Sequence, residues 1–293
     1  MNRTKTLVLG ASGMLGNTVF RTCLASADLK TTATIRSSAA LGFFSKVERE
    51  HLLSDVDVLN SDNLMSLLNT VRPDVVINCV GLIKQLSSAK DPLVALPINS
   101  LFPHKLARLC ALGGIRLIHI STDCVFSGSK GKYTEDSISD AEDIYGKSKY
   151  LGELHDYTNA VTLRTSIIGR ELSTANSLVD WFLAQSGAVK GYTRAIFSGL
   201  PTCELATVIR DFVIPKPSLA GLYHVSAEAI SKYDLLKLIG AEYKKDIEIL
   251  PDDRVMIDRS LKSKKFAEAV GYVAPEWPEL IRRMHGADLR GDK

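Results

Sequence analysis

The first half of the chain alternates between short apolar runs and stretches with helical spacing. Thr6 to Leu9 is an apolar run that predicts a buried strand. Gly10-Ala-Ser-Gly-Met-Leu-Gly16 follows, and helical spacing then holds to about Ser26. Thr31 to Ile35 reads as a β-branched second strand, and Val56-Asp57-Val58 ends a third. Ser61 to Val71 has helical spacing, with Ser61 as its cap. Asp74 to Val80 is an apolar fourth strand, broken by Gly81. Asp91-Pro92 opens another helix, with Asp at the cap and Pro at the first position. A break is expected near Pro97 or Pro103. Ile115 to Ile120 is the fifth strand, a helix opens after Asp143, and Val161 to Ile168 is the sixth strand.

Strands that alternate with helices pair in parallel through right-handed crossovers. The pattern predicts an α/β fold with a doubly wound parallel sheet over residues 1–168. Beyond Gly169 the pattern loosens. Thr174 to Gln185, Glu204 to Ile214, Ser231 to Ile239 and Pro278 to Met284 read as helices, and Ala195 to Ser198 and Gly221 to Val225 as strands. Residues 169–293 are expected to form mainly a smaller substrate-binding lobe, with some strands returning to the main sheet.

Composition narrows the class. With 293 residues, 45% hydrophobic and 24% charged, the chain reads as a soluble globular protein with an ample core. A net charge of +3 is too small to argue for nucleic acid or a membrane surface. No run reaches the ~18 apolar residues of a membrane span. Basic Met1 to Lys5 followed by Leu7 to Leu15 imitates an export signal, but glycines interrupt the run. The five cysteines are odd in number and lack Cys-x-x-Cys spacing, which fits reduced thiols in a cytoplasmic protein. The six histidines are scattered, so no metal site is expected.

The chemistry lies at the carboxyl ends of the predicted strands, where ligands bind in such sheets. In the first turn Gly10 permits the sharp bend, Gly13 lets backbone approach a pyrophosphate, and Gly16 lets helix pack on strand. The same turn without a ligand is the alternative. Arg36, followed by Ser37, ends the second strand, where Arg accommodates a ribose 2′-phosphate and an acidic residue would bind a 2′-hydroxyl. Tyr145 and Lys149, four apart, share one face of a helix that Asp143 would cap. A cation beside a phenol favours the phenolate, so such a tyrosine can exchange a proton with a carbonyl or alcohol oxygen. The spacing alone also describes an ordinary surface pair. Ser121-Thr122-Asp123 ends the fifth strand, where a hydroxyl could orient a substrate oxygen.

Together these motifs resemble the extended short-chain dehydrogenase/reductases, and within them the dTDP-4-dehydrorhamnose reductase family. The resemblance rests on Gly10 to Gly16, Ser121 to Gly128, Tyr145 to Lys149, Leu163 to Ser166 and Gly199 to Thr202, and covers nearly the whole chain. It implies a Rossmann-type fold and a catalytic set of Thr122, Tyr145 and Lys149, with Lys149 also on the nicotinamide ribose. Ser12, Met14 and Leu15 would meet the pyrophosphate, Asp57 and Val58 the adenine, and Cys79, Val80 and Gly81 the cofactor cleft. Asn99 would support the active-site helix. The chain departs from the family at Cys124, where many relatives have Tyr, and at Ala141, where Pro is usual. It departs again at Arg36, which replaces the acidic residue common in NAD-preferring relatives.

The implied activity is NADPH-dependent reduction, with NADH also usable, of a 4-keto, 6-deoxy nucleotide sugar for a surface polysaccharide. Lys84, Arg194, Arg254 and Arg259 are candidate cations for the substrate diphosphate. A homodimer is left open. Two alternatives stand: an epimerase or dehydratase with tightly held NAD, and a non-catalytic nucleotide-binding subunit.

Overall fold

The computed structural model describes residues 3–288. In chain order the first part runs β1 (Thr4–Leu9), α1 (Met14–Leu24), β2 (Leu29–Thr34), α2 (Lys46–Arg49), β3 (Leu52–Leu53), α3 (Ser61–Val71) and β4 (Val75–Asn78). It continues with α4 (Pro92–Ala95), α5 (Phe102–Leu112), β5 (Arg116–Thr122), α6 (Ile144–Leu151), β6 (Ala160–Thr165) and β7 (Ile167–Ile168). The remainder is α7 (Leu178–Ala184), β8 (Ala188–Tyr192), β9 (Ala195–Phe197), β10 (Leu200–Pro201), α8 (Thr202–Val208), β11 (Gly221–His224), β12 (Ile230–Ser231), α9 (Lys232–Glu242), β13 (Glu248–Asp252), β14 (Ile257–Asp258), α10 (Lys264–Val270) and α11 (Trp277–Gly286).

Seven strands form the main sheet in the order β11-β6-β5-β4-β1-β2-β3. β3, β2, β1, β4 and β5 pair in parallel along that order. The expected doubly wound α/β sheet is therefore present. Its order reverses between β1 and β4, the position at which such sheets open a crevice beyond their carboxyl ends. One face is closed by Leu64, Leu67 and Leu68 of α3 and by Phe102, Leu106 and Cys110 of α5, packed on Leu7, Leu9, Val76 and Leu117. Helical spacing in α3 and α5 and unbroken apolar runs in β1 and β4 produce this core.

The chain divides into two compact units that interleave in sequence. One comprises residues 1–121, 142–163 and 206–222; the other comprises 122–141, 164–205 and 223–293. The second unit contains a small parallel pair, β8 with β13, and a three-stranded sheet in the order β12-β9-β14. Among the described residues no helix is long and apolar enough to cross a membrane. All five cysteines are free.

Three local expectations are corrected. No strand forms at Val56 to Val58; β3 lies earlier because Leu52 and Leu53 find their register against Ala33 and Thr34 of β2. Asn60, not Ser61, caps α3, its side chain accepting from the amides of Asp62 and Asn63. Pro97 and Pro103 do not break the helix after Asp91. A π-helical segment, Leu96–Leu101, joins α4 to α5, and the amide of Phe102 donates to the Pro97 carbonyl. Shifting the ladder to i→i+5 bonds accommodates a ring that lacks an N–H donor.

That π segment sets the position of α6. Ser100 Oγ donates to the Ser148 carbonyl at 2.8 Å, and Asn99 Nδ2 donates to Ser148 Oγ at 3.1 Å. The helices approach so closely that a methyl group at Gly152 would collide with the Asn99 carbonyl. Gly152→Ala should therefore lower stability by about 1–3 kcal/mol through overpacking. Gly42→Ala, where a methyl meets nothing within 4 Å, should stay within about 0.5 kcal/mol of wild type. Urea unfolding of the two variants checks this; equal effects would contradict the packing account.

Candidate active site

The first unit holds the glycine turn. Gly10 has φ +86°, and a Cβ there would lie 3.1 Å from Val80 Cγ2, so the turn needs glycine for conformation and for space. A methyl at Gly16 would strike the Gly10 carbonyl, which fixes how closely α1 sits on the turn. Gly13 is the N-cap of α1, with no side-chain cap bond and no acidic residue in the first turn. The amide donors of that turn are thus free of a side-chain acceptor, as a pyrophosphate site requires. Ser12 is exposed in this turn; Met14 and Leu15 open the helix. The residues present fit a dinucleotide.

Around the turn the other predicted contacts take distinct places. Arg36 is exposed just beyond β2. Ser37 is partly committed, its hydroxyl accepting from the Ala39 amide at 3.3 Å. Asp57 is exposed and accepts from the Leu59 amide at 3.0 Å, while Val58 packs against the core. Cys79 follows β4, its amide donating to the Leu9 carbonyl, and the Val80 amide donates to Asn78 Oδ1. Burial pushes the Cys79 thiol up to about 12, so it is neutral at ordinary pH.

Lys149 comes next to these residues. A Cβ at Gly81 would lie 3.5 Å from Asn99 Oδ1 and 3.7 Å from Lys149 Nζ, which gathers Gly81, Asn99 and Lys149 at one point. Asn99 Oδ1 accepts from the Leu82 amide at 3.1 Å, so its amide side chain ties the loop after β4 to α6. Lys149 is buried, and its Nζ donates to the Ile120 carbonyl at 2.8 Å. Burial lowers its pKa to about 8, opposed by Glu153 and Cys79. Tyr145, one turn earlier on α6, is half-buried. The predicted cap is in place: Asp143 Oδ1 accepts from the Gly146 amide at 2.8 Å. Its other oxygen accepts from Lys84 Nζ at 2.6 Å, so Lys84 is engaged with the helix cap.

In the second unit, Thr122 Oγ1 donates to Asp123 Oδ1 at 3.2 Å and accepts from the Cys124 amide at 3.1 Å. Asp123 is buried, and desolvation raises its carboxyl pKa against the opposing charge of Arg259. Arg259 Nε donates to the Phe126 carbonyl at 2.7 Å. Of the other candidate cations, Arg254 is paired with Asp252 and exposed Arg194 is not joined to this group. Sequence reading missed Lys232. It lies close enough to Asp123, Cys124 and Arg259 for each to influence it, and burial lowers its pKa. A signal existed: Lys232 opens α9 behind the Ser231 cap, where the helix dipole disfavours a cation.

Known proteins resemble this chain in sequence and in fold. The family model described as the RmlD substrate binding domain matches residues 4–285. The chain is 27% identical over 267 residues to the probable low-salt glycan biosynthesis reductase Agl14 of Haloferax volcanii, covering 87% of this chain and 83% of that protein. It is 26% identical over 251 residues to methionine adenosyltransferase 2 subunit beta of Xenopus laevis, covering 79% and 70%. Its fold matches a solved dTDP-4-dehydrorhamnose reductase from Bacillus anthracis in complex with NADP, with TM-score 0.78, 22% identity and coverage of 97% and 98%.

The buried ammonium has a consequence for stability. Lys149 is lowered to about 8 in the folded chain, against ~10.4 when unfolded. Between those values the unfolded chain binds more protons, so the contribution of this residue to stability rises with pH there and is flat below. The rise is on the order of 3 kcal/mol. Lys149→Met should lose it, seen as a smaller gain in urea stability between pH 7.5 and 10 than wild type shows. Identical pH responses of the two proteins would contradict the burial of the charge.

Proposed function

Because the chain belongs to the RmlD substrate binding domain family, we propose that it is an NADPH-dependent reductase of a 4-keto nucleotide sugar, of the dTDP-4-dehydrorhamnose reductase type. Its product would serve glycan precursor synthesis. One observation carries the reading: Lys149 is buried against the Ile120 carbonyl, one turn after Tyr145, in the unit that holds the Gly10 to Gly16 turn. The similar proteins support it: a probable glycan biosynthesis reductase and a dTDP-4-dehydrorhamnose reductase solved in complex with NADP.

The amides that open α1 would hold the pyrophosphate, and Arg36 the 2′-phosphate. Lys149 would bind the nicotinamide ribose, and Gly81 leaves room beside it. When bound, NADPH supplies the hydride. Tyr145 gives the proton to the keto oxygen, helped by an ammonium on its helical face that favours the phenolate left behind. Thr122 orients the substrate by moving its hydroxyl donation from Asp123 to the substrate oxygen. Lys232 and Arg259 are the better candidates for an anionic substrate group, since Lys84 and Arg254 are already paired with carboxylates. Loss of water from a sugar needs an acid and a base. Thr122-Asp123-Cys124 offers one carboxyl, so reduction fits better than dehydration.

The similarity to methionine adenosyltransferase 2 subunit beta keeps a second reading, a nucleotide-binding regulatory subunit. A screen of nucleotide 4-keto sugars decides between them. The reductase consumes NADPH in step with substrate, and Tyr145→Phe cuts turnover roughly 10²–10⁴-fold while coenzyme still binds. No turnover across the screen, with tight binding to a methionine adenosyltransferase, would favour the second reading. Wild-type rates for Tyr145→Phe would remove the tyrosine from the mechanism.

Arg36 further predicts that NADPH binds about ten- to hundred-fold more tightly than NADH, the effect of one charge-assisted phosphate contact. Arg36→Asp should reverse the order, because a carboxylate repels the 2′-phosphate and accepts from a 2′-hydroxyl. Titrating both coenzymes by fluorescence measures it, and equal affinities in wild type would contradict it.

A further inference from the structure

Two neighbouring residues at the end of β5 hold two charged side chains. Ile120 accepts from Lys149 Nζ through its carbonyl at 2.8 Å, and Ser121 Oγ donates to Glu153 Oε1 at 2.6 Å. Lys149 is 5% exposed and Glu153 3%. The Ile120 carbonyl is neutral, and an ammonium removed from water without an opposing charge loses its proton readily.

The groups that face Lys149 come from three elements. Cys79, in the segment after β4, has its thiol pushed up to about 12 and carries no charge. His119, on β5, is fully buried; its Nδ1 pairs with Asn78 Nδ2 at 3.1 Å and its Nε2 has no partner. Burial, Lys149 and His104 of α5 hold that imidazole well below its ordinary range, so it is neutral too. On α6 itself stands Tyr145, and just beyond the helix Glu153. Glu153 is the one carboxylate among these groups, and Cys79 and His119 are neutral. Its second oxygen faces His155 Nε2 at 3.4 Å, and that histidine is partly open to solvent.

We propose that Glu153 is the counter-charge that keeps Lys149 in its ammonium form, and that it is thereby a positioning residue of the reaction. Ser121 fixes the carboxylate with its own hydroxyl, and its neighbour Ile120 fixes the ammonium. The second half of the proposal rests on the role given to Lys149 under the proposed function. The first half does not.

Glu153→Gln is the informative substitution, because the amide keeps an acceptor for Ser121 and the side-chain volume but removes the charge. The chain carrying [13Cε]-lysine is titrated by NMR, with Lys149 assigned from its loss in Lys149→Met. In Glu153→Gln the Lys149 midpoint should fall by about one pH unit or more. The alkaline limits of NADPH binding and of kcat/KM should fall with it, and Glu153→Asp, which keeps the charge, should restore most of the shift. A Lys149 midpoint unchanged in Glu153→Gln would overturn the proposal. If Glu153→Gln does not fold, Ser121→Ala releases the carboxylate instead, and a midpoint unchanged there would overturn it equally. A midpoint that moves while NADPH binding and turnover keep their pH profiles would uphold the counter-charge and overturn the role of Lys149 in the reaction.

Discussion

Burying one ammonium organises the first unit. Lys149 can lie against the Ile120 carbonyl only if α6 is pressed onto its neighbours. That approach needs the π segment Leu96–Leu101, whose Asn99 and Ser100 grip Ser148, and it needs Gly152, where any side chain would meet the Asn99 carbonyl. Gly81 lies at the same point, where a Cβ would come into van der Waals contact with both Asn99 and Lys149. A charge held in a dry place is costly unless it is paired, which is why a carboxylate, Glu153, is buried nearby and why Cys79 and His119 stay neutral.

The same constraint separates two kinds of chemistry. Reduction of a ketone asks for one proton and a firmly held coenzyme, the two roles proposed for the first unit. Dehydration asks for two carboxyl groups in different protonation states. Asp123 is buried with a raised pKa, its neighbour is a thiol, and the nearby charges, Arg259 and Lys232, are cations. Such a cluster suits an anionic ligand better than proton abstraction from carbon.

Features with local causes were legible in the sequence. Asp143 as a cap, Asp91-Pro92 as a helix start and Gly10 at a sharp turn each follow from the chemistry of a few adjacent residues, and all three appear, Gly10 with a positive φ. The sheet followed from the alternation of strands and helices. What the sequence hid was non-local. β3 is placed by pairing with β2, not by the alternating Val56 and Val58, and Asp55 just before them has φ +60°. Pro97 and Pro103 read as breaks because proline interrupts an α ladder, and the π segment that accommodates them is set by packing on α6. Residues 206–222 join the first unit and 122–141 the second, an interleaving with no mark in composition. Lys84 meets Asp143, a carboxylate that only the fold brings near, whereas the partner of Arg254, Asp252, stands two residues earlier in the chain.

The central claim is hydride transfer to the keto carbon of a nucleotide sugar. It is tested most directly by following deuterium from NADPH labelled at C4 of the nicotinamide ring, one label position at a time, into a dTDP-4-keto-6-deoxy sugar. The account predicts a product carrying one deuterium on sugar C4, from one of the two labelled coenzymes and not the other. An unlabelled product from both, or a product lighter by one water, would contradict it.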